Sequence, residues 1–89
     1  MMDGNVLAGP LRELFAVDMT SADGRCAGCG REGPVAALHV YGSQDAPGYV
    51  ARCPGCDSVM MTLVRGPEAA WLDMRGVAGL RIPLAPPVA

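Results

Sequence analysis

The sequence predicts a small, mostly-β domain: two antiparallel β-hairpins, about four strands, behind a short N-terminal amphipathic helix. Three observations predict it. The chain has only 89 residues, enough for one domain. Its apolar share is 51% but its aromatic share only 4%, so the core is mainly Val, Leu, Met and Ala. Two near-identical segments, Arg25-Cys26-Ala27-Gly28-Cys29-Gly30 and Arg52-Cys53-Pro54-Gly55-Cys56-Asp57, hold all four cysteines as C-x-x-C pairs. Four thiolates delivered this way make a tetrahedral metal site, with one Zn²⁺ per chain as the expected ion. A domain this small is marginal without a staple. A structural zinc supplies about 10–16 kcal/mol of apparent binding energy.

The elements follow in order. Leu7, Leu11, Leu14 and Phe15 fall on one face of a helix over residues 5–16, with Asp3 or Asn5 as its cap. Pro10 offers an alternative division, a turn over 5–8 and a helix over 10–16. Residues 17–24 read as a loop because Asp18, Thr20, Ser21, Asp23 and Gly24 are turn formers. Residues 34–41 read as a strand with Ala36, Leu38 and Val40 on one face. Residues 42–48 form the hairpin loop, and residues 49–52 return to the second cysteine pair, bringing Cys53 beside Cys29. Residues 58–64 are a third strand, apolar enough to suggest burial on both faces. After a turn at 66–68, residues 70–75 form a fourth strand antiparallel to the third. Val77, Leu80 and Ile82 extend it or make one helical turn. Residues 1–82 are the domain, and the proline-rich residues 83–89 are expected to be a flexible tail.

The ligand set is Cys26, Cys29, Cys53 and Cys56. Gly28 and Gly55 occupy matching places in two tight turns, where glycine allows close approach and leaves N–H groups free to point at sulfur. The residue after each pair, Gly30 or Asp57, needs φ > 0; glycine supplies it without strain and aspartate less easily. Arg25 and Arg52 precede the pairs, where either guanidinium would screen the excess negative charge of a four-thiolate zinc site. His39, the only histidine, is read as an outward strand residue. No thioredoxin-like frame surrounds the pairs, which weighs against redox cysteines. The six methionines are scattered and suit core positions better than a copper surface.

The two knuckles and the hairpins resemble those of zinc ribbons. The whole chain also resembles a group of small bacterial proteins with no assigned function. These open with an Asp-Gly-Asn helix, here from Asp3-Gly4-Asn5, carry C-x-G-C and C-P-G-C pairs, and end in a Trp-Leu-Asp strand, here Trp71-Leu72-Asp73. The resemblance implies the same four cysteine ligands and no activity. Rubredoxins share the knuckles and carry iron, but Asp57 departs from their C-x-x-C-G form and their cores are richer in aromatics.

The carboxylates show no acid/base pairing, and neither a hydrolytic triad nor a phosphate-cradling loop is present. The chain is therefore expected to be non-enzymatic, with a structural zinc and a surface that binds a protein partner or a second copy. A nucleic-acid-binding zinc ribbon is the first alternative, resting on Arg25, Arg31 and Arg52. A net charge of −2 with no lysine argues against it. A rubredoxin-like iron electron carrier is the second. No membrane span or signal peptide is apparent, so a cytoplasmic location is expected.

Overall fold

The computed structural model describes residues 1–12, 19–42 and 48–83. Among the described residues, eight strands form two antiparallel sheets. The larger sheet has the order β1 (Met2–Asp3), β4 (His39–Gly42), β5 (Gly48–Arg52), β6 (Val59–Arg65) and β7 (Ala70–Asp73). The smaller runs β3 (Glu32–Pro34), β2 (Asp23–Cys26) and β8 (Val77–Arg81). The two expected hairpins are β4–β5 and β6–β7, and β5 pairs with β6 to fuse them into one sheet.

The N-terminal segment divides more finely than the helix expected over 5–16. A 3₁₀ turn covers Gly4–Leu7, and the α-helix α1 covers Ala8–Arg12. Pro10 sits within the first turn of α1, where a missing N–H removes no intrahelical bond. Leu7 and Leu11 are buried as expected; Leu14 and Phe15 lie outside the described residues, as do residues 84–89 of the tail. Asp3 is the cap, its Oδ1 accepting from Asn5 N–H at 3.0 Å. Asp3→Ala should cost about 1 kcal/mol in a denaturant titration.

The expected strand over 34–41 begins later. Val35–Ala37 is a 3₁₀ turn, closed by Leu38 N–H donating to Val35 O at 3.1 Å. The reason is packing. An extended chain would send Val35 and Leu38 to opposite faces, whereas the turn places both in the core beside Val40.

The third strand is not buried on both faces. Val59 and Val64 are 41% and 40% exposed, while Met60, Met61 and Leu63 are buried. Strict alternation would bury only one of Met60 and Met61. Arg52 pairs with Val59 and Ala51 with Met61, so Met60 is an extra residue in β6. This bulge lets both methionines enter the core.

The second sheet departs most from expectation. Residues 17–24 are not all loop: Met19–Ser21 is a 3₁₀ turn and β2 starts at Asp23. Nor does the chain after β7 extend it or turn helical. Arg75 N–H donates to Asp73 Oδ1 at 3.0 Å, an Asx turn that bends the chain away. Val77–Arg81 then pairs with β2, from Asp23↔Arg81 to Cys26↔Val77.

Candidate metal centre

Each knuckle joins two strands: Cys26–Cys29 lies between β2 and β3, and Cys53–Cys56 between β5 and β6. The metal candidate therefore sits where the two sheets meet. The knuckles repeat one set of backbone bonds. Cys26 O accepts from Gly30 N–H at 2.9 Å, and Cys53 O from Asp57 N–H at 2.8 Å. Cys26 N–H donates to Arg31 O, and Cys53 N–H to Ser58 O, both at 2.9 Å. Gly30 has φ 78° and Asp57 φ 63°, the left-handed conformation the spacing demanded. Asp57 is the only non-glycine residue there among the described residues.

The four sulfurs converge. All lie within 4.8 Å of one another, with Cys26 Sγ 3.6 Å from Cys56 Sγ and Cys29 Sγ 3.7 Å from Cys53 Sγ. A tetrahedron with metal–sulfur bonds of about 2.3 Å has edges of about 3.8 Å. A disulfide would need about 2.05 Å, and all four cysteines are free thiols. The donor set fits a thiophilic cation.

The surroundings suit anionic sulfur. Gly28 N–H donates to Cys26 Sγ and Gly55 N–H to Cys53 Sγ, each at 3.3 Å. Ser58 Oγ lies 3.1 Å from Cys56 Sγ, where its hydroxyl can donate to a thiolate. Cys26 and Cys53 are buried, whereas Cys29 and Cys56 are exposed.

The arginines before each pair have other partners. Arg25 pairs with Glu32 across β2 and β3. Arg52 Nη1 donates to Asp57 O at 2.9 Å, tying the end of the second knuckle to β5. His39 stands on the outward face of β4 opposite Arg52.

Sequence reading missed Ser58 and Gly76. Ser58 is only two residues past Cys56, so its place was open to inspection. Gly76 carries no local signal. Its carbonyl accepts from Ala27 N–H at 2.9 Å and its N–H donates to Met60 O at 3.2 Å, linking the first knuckle to β6 beside the second.

A family model matches residues 1–85. The chain belongs to DUF6510, a family of unknown function. No curated protein and no solved structure matches it. The Asp-Gly-Asn opening of this DUF6510 chain has a packing reason. A Cβ on Gly4 would lie 1.8 Å from Val35 O, so only glycine lets the first turn rest on the Val35–Ala37 turn.

In the metal-free DUF6510 tetrad, close sulfurs cannot all ionise together. Cys56 is held down to about 6, first by hydrogen bonding from the Ser58 hydroxyl and then by the Ser58 backbone. Cys29 is pushed up to about 11: the Arg31 backbone hydrogen bond opposes the rise, which burial and the three neighbouring cysteines produce. For Cys53, burial raises the pKa, but hydrogen bonds from the Cys56 and Gly55 backbone outweigh it and the net direction is down. A cation must displace the Cys29 proton at neutral pH. Metal affinity should therefore fall as pH falls, and fall more steeply below about 6, where Cys56 also takes a proton. Metal retention after dialysis across pH 5–8 checks this; occupancy independent of pH would contradict it.

Proposed function

We propose that the chain is a non-enzymatic zinc-binding domain whose single zinc is structural, and whose surface binds a protein partner or a second copy. The observation that carries this reading is the convergence of four cysteine sulfurs at tetrahedral spacing. Four protein ligands leave no position for water or substrate, so the ion fastens the sheets together and does not activate a nucleophile. In this reading the domain is a zinc ribbon elaborated by a second sheet, working in the cytoplasm. No helix among the described residues is long and apolar enough to cross a membrane.

The binding surface is read from β7. It is one of the two edge strands of the five-stranded sheet, the other being β1. Its Trp71 is 73% exposed and stands opposite exposed Val64. Such an edge pairs readily with another strand. Charge supports protein over nucleic acid: of the three arginines at the knuckles, Arg25 faces Glu32 and Arg52 approaches Asp57, while Arg31 lies against Gly55.

Metal analysis of protein purified without added metal tests the first half. One zinc per colourless chain is expected. A red, iron-loaded protein would favour electron transfer, and a metal-free, fully folded protein would refute a structural metal. Sedimentation at several concentrations tests self-association, and affinity capture tests a protein partner; a monomer with no captured protein would refute the second half.

A further inference from the structure

The four sulfurs are not equivalent, and their differences run in a pattern. Each knuckle contributes one buried and one exposed cysteine. Within a tetrad whose sulfurs all lie within 4.8 Å of one another, two contacts join the exposed cysteine of one knuckle to the buried cysteine of the other: Cys56 to Cys26 at 3.6 Å, and Cys29 to Cys53 at 3.7 Å. A reagent in solution meets the exposed sulfur first. The thiol positioned to respond then belongs to the opposite knuckle.

We propose that this tetrad is a peroxide-responsive latch that exchanges its metal for two disulfides between the knuckles, Cys26–Cys56 and Cys29–Cys53. The proposal rests on the metal-centre reading above. Its chemistry is a two-electron oxidation at each pair. The exposed thiolate attacks one oxygen of a hydroperoxide; the O–O bond breaks, the sulfur becomes a sulfenic acid, and the departing oxygen takes a proton and leaves as water or an alcohol. The buried partner sulfur attacks the sulfenic sulfur, the S–S bond forms, and hydroxide leaves and is protonated to water. Each pair loses two electrons, which the hydroperoxide accepts. A disulfide sulfur no longer has the thiolate charge that held the cation, so the ion departs. The oxidised molecule keeps its knuckles joined, because each new bond spans the same gap the metal spanned. Bonds within a knuckle would leave the two sheets without that link.

The experiment uses the full chain and hydrogen peroxide. Zinc-loaded protein is freed of reductant, and bound zinc is counted before oxidation. A chain that binds no zinc refutes the metal-centre reading, and the proposal with it. Zinc-bound protein then receives peroxide at one and at two equivalents. Released zinc is read with a chromophoric chelator, and remaining thiols are capped with iodoacetamide before tryptic digestion. Cleavage at Arg25, Arg31, Arg52 and Arg65 yields peptides 26–31 and 53–65, each holding both cysteines of one knuckle. The expected result at two equivalents is loss of the one bound zinc and covalent joining of these peptides. At one equivalent, capped thiols should sit on Cys29 and Cys53, or on Cys26 and Cys56. Separate peptides with a bond inside each knuckle would overturn the proposal while leaving the metal centre intact. So would Cys26–Cys53 or Cys29–Cys56 bridging, sulfinic acids without cross-links, or zinc that stays bound.

Discussion

Cys53→Ser should abolish metal binding and unfold most of the domain at room temperature. Cys53 is 2% exposed, at the junction of β5 with the second knuckle. Serine cannot supply a thiolate, and three sulfurs hold a zinc ion far less firmly than four. A structural zinc site is worth about 10–16 kcal/mol in apparent binding energy. The total stability of a domain this small is about 5–15 kcal/mol. Losing most of the first term therefore removes a quantity as large as the second. The sheets meet at the knuckles, and apart from the metal they are joined, among the described residues, by the Gly76 hydrogen bonds and by the core that Val77 and Leu80 share with Met60 and Met61. Metal content should fall from one ion to none, and the cooperative melting transition should vanish or drop by tens of degrees, roughly as the size scaling of small domains requires. Wild-type protein treated with a strong chelator should behave the same way. Cys29→Ser should be milder, because Cys29 is exposed and water can substitute there without burying an unpaired group. A Cys53→Ser variant melting close to wild type would mean that the hydrophobic core alone sustains the fold.

Gly76→Ala should be among the most damaging substitutions outside the cysteines. A Cβ at this position would stand 2.0 Å from Val59 O and 2.6 Å from Met60 Cα. Both neighbours are backbone, so no side chain can swing aside. Relief requires moving Gly76 off β6, which breaks its bonds to Met60 and to Ala27. Overpacking of this kind costs about 1–3 kcal/mol or more, and the lost hydrogen bonds add about 1 kcal/mol each. A fall in melting temperature above about 12 °C follows. Metal affinity should fall as well, because Ala27 belongs to the first knuckle. Gly79→Ala is the control. An added Cβ there meets nothing within 4 Å, and a near-neutral effect is expected. Equal effects at the two positions would show that glycine flexibility, not close approach, explains Gly76.

The features legible in the sequence are those encoded locally. The knuckles repeat within six residues, so the ligands, the left-handed positions and the N–H groups aimed at sulfur follow from spacing and turn chemistry. The hairpins join neighbouring segments and were equally open to reading. What escaped depends on partners distant along the chain. β8 pairs with β2 across most of the molecule, and nothing in Val77–Arg81 distinguishes a strand of a second sheet from an extension of β7. The Met60 bulge arises from a shift in register against β5. The Val35–Ala37 turn follows from burying Val35 and Leu38 together, and it is the floor on which Gly4, more than thirty residues upstream, rests. The continuous apolar run marked all of β6 for burial, but the packing decided which residues were covered.

The chain contains one tryptophan, and it stands largely in water on a sheet edge. Its indole should emit at long wavelength in the native protein and change little on denaturation. Intrinsic fluorescence is thus a poor gauge of unfolding for this molecule and a sensitive gauge of anything that settles onto that edge, when a blue shift would appear without any change in the fold.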